Sequence, residues 1–343
     1  MNIHLAADEN DARRWEAFAE SFAQSSNYHR WGWKQVIEES FDWPTYYLMA
    51  SEGDSIRGIL PLAWQRSRVF GSFLTSLPFL NCAGVAAQTA EAKKALVQEA
   101  VNLSQRLGVS YLELRHREDQ NLALPQKTNK VSVYLEVEPN EDRMMKSLRH
   151  EVRTKIRKAI KSGLTAEIEG PDSLDDFYRV FAQNMRDLGT PVYSKVFFQT
   201  IYRTFPSDTF LCVVRYQGEA VAASLMTAFR DTLETVWGSS LRKYLHMAPN
   251  MLMYWRMARL AAERGFRIFD FGRSTVGSGP HHFKLQWSSK ELVLYWDYWL
   301  PEGKSLPEIN PRNPKYRTAI WLWQHLPLSV ANRLGPRIVR AIP

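Results

Sequence analysis

Cysteine is scarce in this chain. Two residues of 343, Cys82 and Cys212, cannot build a disulfide framework. No Cys/His spacing matches a zinc centre, so no metal is expected. Two buried thiols in a reducing compartment are expected instead. Long apolar runs are missing too: none reaches the roughly 18–20 residues of a membrane span. The opening stretch, MNIHLAADENDARRWEAF, carries charge where a secretory leader has its apolar core. A cytoplasmic location is expected. Acidic residues are absent after Glu308, while Arg312, Lys315, Arg317, Arg333, Arg337 and Arg340 follow it. Those six cations supply most of a formal net charge of +8. The imbalance points to an anionic partner, such as nucleic acid, a phosphate-bearing substrate or a lipid surface.

What is present describes a folded α/β protein. Hydrophobic residues make up 45% and charged residues 23%, enough apolar material for a core and too little charge for a disordered chain. TYYLMAS and IRGILPLAWQRS alternate apolar and polar residues around EGDS, a hairpin signature. TAEAKKALVQEAVNLSQRLG is an amphipathic helix closed by Gly108, and VSYLELRHR is a strand. The same order then returns. TFLCVVRYQGEAVAASLMTAF is a hairpin turning at Gln217–Gly218, and DTLETVWGSS adds a strand. A helix follows from Pro249 to a stop at Gly265, then the strand FRIFDFGR. RLGVSYLELR and ERGFRIFDFGR each place an acidic residue, Glu113 or Asp270, near the end of a strand that follows a capped helix. This repeat implies two α/β units: residues 1–140, residues 141–300, and a basic tail over 301–343. Between the units, SLRHEVRTKIRKAIKSG spaces Arg149, Arg153, Arg157 and Lys161 by four. Leu148, Val152, Ile156 and Ile160 form a neighbouring apolar stripe, and Gly163 ends the helix. Like charges at that spacing repel, so the row is expected to face an anion such as tRNA.

A hairpin, a further strand, a helix and a strand followed by a short helix is the order of the GNAT acyltransferase fold. In tandem, these elements resemble the Fem family, the FemAB/FemX-type aminoacyl transferases of bacterial cell-wall assembly. Three stretches carry the resemblance: RTKIRKAIKSGL, QNMRDLGTPVYSKVFF and FDFGRSTVGSGPHHFKLQW. It is greatest to FemAB-related proteins of exopolysaccharide and exosortase systems. The implied fold is α/β, with two tandem GNAT-like domains of mixed sheets flanked by helices. The implied activity is acyl or aminoacyl transfer, forming an amide on a phosphate-bearing glycan or peptidyl precursor that can be lipid-linked. No tightly bound cofactor is implied. The implied donor is aminoacyl-tRNA, with acyl-CoA as the alternative.

The resemblance also assigns residues. Phe283 and Lys284 inherit the place where an amine attacks the acyl ester. A fixed ammonium in a dry pocket there stabilises the developing oxyanion. Arg186, whose planar fork suits phosphate, is expected to hold the acceptor, with Tyr193, Lys195 and Arg273 beside it. Lys34, beside Trp31 and Trp33, is expected on the same phosphate. Asp270 or Glu234 is expected to assist proton removal. Glu113 and Arg115 are expected either to line a groove or to pair with each other.

Two departures sharpen these expectations. GNAT enzymes hold the CoA pyrophosphate on backbone amides of a glycine-bearing loop at a helix N-terminus. The matching stretch here, LRKYLHMAPN, puts Leu245 and Met247 where the glycines would be, which disfavours CoA. The helical arm that some Fem proteins carry is absent. The tail combines Trp321 and Trp323 with cations only, the pattern of an interfacial anchor, although Pro327 and Pro336 should break it into short pieces. Two other readings stay open: a CoA-dependent N-acyltransferase acting on an amino sugar, and a non-catalytic binding module of a polysaccharide or exosortase system.

Overall fold

The computed structural model describes residues 1–67, 70–307 and 314–342, the side chains of 314–316 excepted. Arg312 and the Lys315 side chain of the basic tail therefore lie outside the described residues. The chain forms two compact units. Unit 1 holds Met1–Lys130, Val293–Ile309 and Arg340–Pro343, and unit 2 holds Val131–Leu292 and Asn310–Val339.

Unit 1 runs β1 (Asn2–Leu5), α1 (Glu9–Ser21), α2 (Gly32–Phe41), β2 (Thr45–Glu52), β3 (Ser55–Ser67), β4 (Gly71–Thr75), β5 (Ala86–Ala87), α3 (Ala90–Leu107), β6 (Tyr111–His116) and the first half of β7 (Gln126–Glu136). Strands β1 to β4 pair antiparallel in succession. The α3 crossover then sets β6 parallel to β4. Thr89 caps α3 by accepting the Ala92 N–H, and Gly108 ends it with φ of 61°. Its buried Leu96, Ala100 and Leu103 pack on Leu48, Leu60, Leu74 and Leu112 of the sheet. This is the amphipathic face that the sequence marks.

Unit 2 repeats the pattern. It contains the second half of β7, α4 (Glu141–Ser147), α5 (His150–Lys161), β8 (Leu164–Glu169), α6 (Leu174–Leu188), α7 (Lys195–Thr204), β9 (Thr209–Tyr216), β10 (Glu219–Phe229), β11 (Thr232–Ser240), α8 (Pro249–Glu263), β12 (Ile268–Thr275), α9 (Gly279–Leu285), the start of β13 (Lys290–Trp299), α10 (Pro314–Gln324) and α11 (Leu328–Val339). Strands β8 to β11 pair antiparallel, and the α8 crossover sets β12 parallel to β11. The β9–β10 hairpin turns at Gln217 and Gly218, both with positive φ (50° and 84°), the tight turn that suits right-twisted strands. The duplication read from element order is thus present as sheet topology.

The units divide within strands rather than at a linker. The chain leaves unit 1 inside β7, at Lys130/Val131, and returns inside β13, at Leu292/Val293. The sequence puts the joint at residues 140–165 because the turn and charge signals lie there. A division within a strand leaves no turn signal.

Two local expectations need correction. The basic stretch is not one helix: α4 ends at Ser147, Leu148 is extended and buried, and Arg149 is the N-cap of α5. Arg149 is therefore outside the charged row. The apolar face closes on Ala159, while Ile160 is 54% exposed. Residue 160 lies four past Ile156, and at 3.6 residues per turn Ala159 falls nearer the centre of the face. In the tail, Pro327 separates two short helices as expected, its carbonyl accepting the N–H groups of Val330 and Ala331 at the start of the second. Pro336 sits inside α11. Burial of Ala331, Gly335 and Val339 holds that helix despite the lost N–H.

Candidate active site

At the end of β12 the backbone turns at Gly272, whose φ of 73° lies in the left-handed region that glycine adopts without strain. The chain then passes an exposed turn and re-enters as α9. Ser278 caps α9 on the His281 N–H at 3.3 Å. His281 is buried and accepts the Gly277 N–H at Nδ1 (3.0 Å), which places its proton on Nε2, hydrogen-bonded to Glu291 of β13. These contacts fix α9 against the strand end.

Fixing α9 buries Lys284. Its side chain is 7% exposed, and Nζ donates to the carbonyl oxygens of Gly272 (2.8 Å) and Arg273 (3.0 Å). An ammonium has three N–H groups, and among the described residues the third has no acceptor. Lys284 also makes no ion pair among them. Burial lowers its pKa from the ordinary value to about 8, with Arg273 adding to the fall and Asp270 and Glu234 partly opposing it. At neutral pH the group remains mainly a cation, held in a dry site by carbonyl dipoles.

The two carboxylates lie on adjacent strands, since Glu234 and Asp270 are register partners in the β11–β12 pair. Asp270 is 3% exposed and accepts the Ser132 hydroxyl (2.7 and 2.8 Å to its two oxygens) and the Gly272 N–H (2.8 Å). Hydrogen bonds of this kind fix the position of the carboxylate. Asp270 therefore acts as a counter-charge beneath Lys284 and as a brace for the Gly272 turn. Ser132 comes from β7, far away in sequence, and no local signal marks it.

One side of α9 is aromatic. Tyr254 of α8 lies 5.2 Å from Phe283, 5.4 Å from Phe271 and 6.0 Å from Trp287, centroid to centroid. Trp287 is fully buried. Burial raises the Tyr254 phenol to about 12. Next to it, Lys155 of α5 donates to Gln286 at 3.0 Å. Lys155 and Arg153 flank the buried Val152–Ile156–Ala159 face of α5 on opposite sides. The basic residue that reaches α9 is thus Lys155, outside the row read from the sequence.

With this geometry established, likeness to known proteins becomes informative. Residues 146–285 match the family described as "Acetyltransferase (GNAT) domain". The crystal structure of FemX superposes with a TM-score of 0.66 at 13% identity, over 86% of this chain and 97% of that one. A tandem GNAT protein from the clavulanic acid biosynthesis pathway gives 0.56 at 9% identity, over 88% and 100%. This chain has a FemX-like tandem GNAT fold. L-PGS from Bacillus licheniformis gives 0.58 at 13% identity, over 94% of this chain and 98% of that one. No curated protein matches in sequence.

In this GNAT frame, Lys284, Phe283, Arg273, Asp270 and Glu234 lie on β11, β12 and α9 of unit 2. Arg157 and Lys161 are exposed on α5, and Arg153 is half-buried. The residues expected on an acceptor phosphate have other partners. Arg186 lies in the last turn of α6, with Nη1 donating to the Leu326 carbonyl (3.0 Å) and Nε 2.8 Å from Asp187. Tyr193 packs on Phe181 and Phe197, and its carbonyl accepts the Tyr178 hydroxyl. Lys195 opens α7 and pairs with Asp175. Lys34 lies in unit 1, donating to Glu38 and to Thr45 Oγ1 (3.0 Å), with Trp33 fully buried beside it. Glu113 and Arg115 do pair, through Arg115 Nε at 2.7 Å. Both cysteines are buried, as expected, and burial raises the Cys212 thiol to about 12. No helix among the described residues is long and apolar enough to cross a membrane.

Proposed function

We propose that this protein is an amide-forming transferase. It moves an aminoacyl group from an oxygen ester, of the kind carried by tRNA, to an amine on a phosphate-bearing envelope or exopolysaccharide precursor. The observation that carries the reading is Lys284: a buried cation with an uncommitted N–H, held by two backbone carbonyls at the end of the GNAT strand β12. The amine nitrogen bonds to the ester carbonyl carbon and the carbonyl oxygen becomes an oxyanion. Lys284 stabilises that charge and then the departing alkoxide. The carbon–oxygen bond breaks, and the proton shed by the amine ends on the leaving oxygen. Phe283 keeps water out, and Asp270 and Glu234 keep Lys284 charged. Lys155, Arg157 and Lys161 supply a cationic surface for the anionic parts of donor or acceptor.

The turn entering α8 supports an ester donor over CoA. It is a 3-10 turn over Arg242–Met247. The Tyr244 and Ala248 N–H groups bond to the Leu241 and Leu245 carbonyls, and Pro249 offers no N–H. The open row of donors that a pyrophosphate takes is missing there. A second reading, transfer from a CoA thioester to an amino sugar, is favoured by the acetyltransferase match over residues 146–285.

The test offers labelled aminoacyl-tRNA and a labelled acyl-CoA panel in parallel, with lipid-linked glycan as acceptor, and follows amide formation by mass spectrometry. Transfer from tRNA is expected, falling roughly 100- to 1000-fold in Lys284→Ala. Transfer from CoA alone establishes the second reading. Silence from both with folded protein points to a binding module.

A further inference from the structure

The C-terminal helices of unit 2 have two unlike faces. On α11 the inner face is Ala331, Gly335 and Val339, all buried. It fits closely: a Cβ built on Gly335 would lie 2.9 Å from the Val192 backbone nitrogen. On α10, the Ile320 side chain occupies the place of a Cβ on Gly189 at the end of α6, and Gln324 donates to the Asp187 carbonyl at 3.2 Å. Small residues and backbone contacts attach these helices to the unit that holds Lys284.

The outer face follows a different logic. Val330, Leu334 and Ile338 recur every fourth residue on α11 and are 39%, 38% and 37% exposed. Arg333 and Arg337 are exposed alongside them. On α10, Trp321 and Leu322 are 56% and 54% exposed, and an open groove of about 660 Å³ is lined by Arg317, Thr318, Ile320, Trp321 and Gln324. The chain has no carboxylate side chain after Glu308, so neither helix carries one. The inner contacts already hold the helices, so folding does not require this outward apolar stripe. A stripe of Val, Leu, Ile and Trp whose charged neighbours on these helices are arginines matches one kind of surface: apolar below and negatively charged above.

We infer that the outer face of α10 and α11 docks in the plane of an anionic lipid bilayer. Val330, Leu334, Ile338 and Trp321 enter the acyl boundary, and Arg317, Arg333 and Arg337 meet the headgroups. At 11 and 12 residues the helices lie along a bilayer rather than through it. Docking does not depend on the transfer reaction, so each reading can fail without the other.

The experiment is co-sedimentation of the full chain with vesicles of phosphatidylcholine alone or with about one-third phosphatidylglycerol. Binding to the anionic vesicles only, weakened by salt, is expected. The triple variant Val330→Ser/Leu334→Ser/Ile338→Ser and the double variant Arg333→Gln/Arg337→Gln should each weaken it at least about tenfold. Both alter exposed residues, so thermal melting should not change. Lys284→Ala should bind as the unmodified chain does. Absent binding, equal binding to neutral vesicles, or full binding by the triple variant would each overturn the inference. So would light scattering that shows a dimer abolished by the triple variant, because a second copy would then cover the stripe.

Discussion

The ends of β6 and β12 are the same place in two copies of one fold, and they have been finished differently. At the end of β6, Glu113 accepts from Arg115 and from the Tyr298 hydroxyl, each at 2.7 Å. The guanidinium also donates to the Leu80 carbonyl (2.8 Å) and lies 4.4 Å from the Trp296 ring. Beside this pair, His116 accepts the Val85 N–H at Nε2 and gives its Nδ1 proton to Asp297 at 2.8 Å. Burial and the nearby Glu113 carboxylate push the Tyr298 phenol far above its usual range. At the end of β12, the cation comes from a separate helix, rests on carbonyl dipoles and has its counter-charges beyond ion-pair distance. A charge neutralised by direct contact gives structure. A charge held nearby without a partner is available to a substrate. On the function proposed above, the first strand end serves stability and the second serves chemistry.

Three measurements probe that division. The largest effect belongs to Arg115→Met, which strands the Glu113 carboxylate where both side chains are under a tenth exposed. Removing one partner of such a pair should cost about 3–5 kcal/mol in urea unfolding, with turnover per folded molecule unchanged. A large fall in turnover at full stability would give the β6 end a chemical role.

The second effect is a pH limb. If transition-state charge is met by the Lys284 ammonium, the rate falls as pH rises through about 8. The stability sign is the opposite. The lysine pKa is lower in the folded protein than in the unfolded chain, so between about 8 and the ordinary lysine value the unfolded state binds more protons. Stability from this group therefore rises with pH across that window and is flat below it. Asp270→Asn removes the counter-charge and should move the kinetic limb to lower pH. A limb unmoved by that substitution would separate Lys284 from the rate.

The smallest effect is Ser132→Ala. It removes one hydrogen bond to a buried carboxylate, worth about 1.5–3 kcal/mol. It should reduce turnover several-fold, with Ser132→Thr restoring most of it. Loss of stability without any change in rate would show that Asp270 supports the strand and not Lys284.

The parts legible in the sequence were those written locally. Hairpins, the α3 and α8 crossovers and the Gly108 and Gly265 stops follow from periodicity and φ preference within a few residues. Phe283 and Lys284 lie in one short motif, so they too could be read. Ser132 was not legible, because its partner is 138 residues away and a serine in a strand has no distinguishing pattern. The engagement of Arg186 by the Leu326 carbonyl is equally nonlocal. Lys155 carries no local signal, because it lies outside the four-residue spacing that marks Arg153 and Arg157. The break at Leu148 was hidden by an apolar periodicity that continues through it.

The division of the chain inside β7 and β13 has a consequence for synthesis. Strand β6 is flanked in unit 1 by β4 and by residues 295–299 of β13, which a ribosome adds only after nearly all of unit 2. Until then the nascent first unit presents an unpaired strand edge, a template for misassembly. A fragment ending at residue 140 would keep that edge permanently, whereas the full chain closes it once the ribosome has added β13.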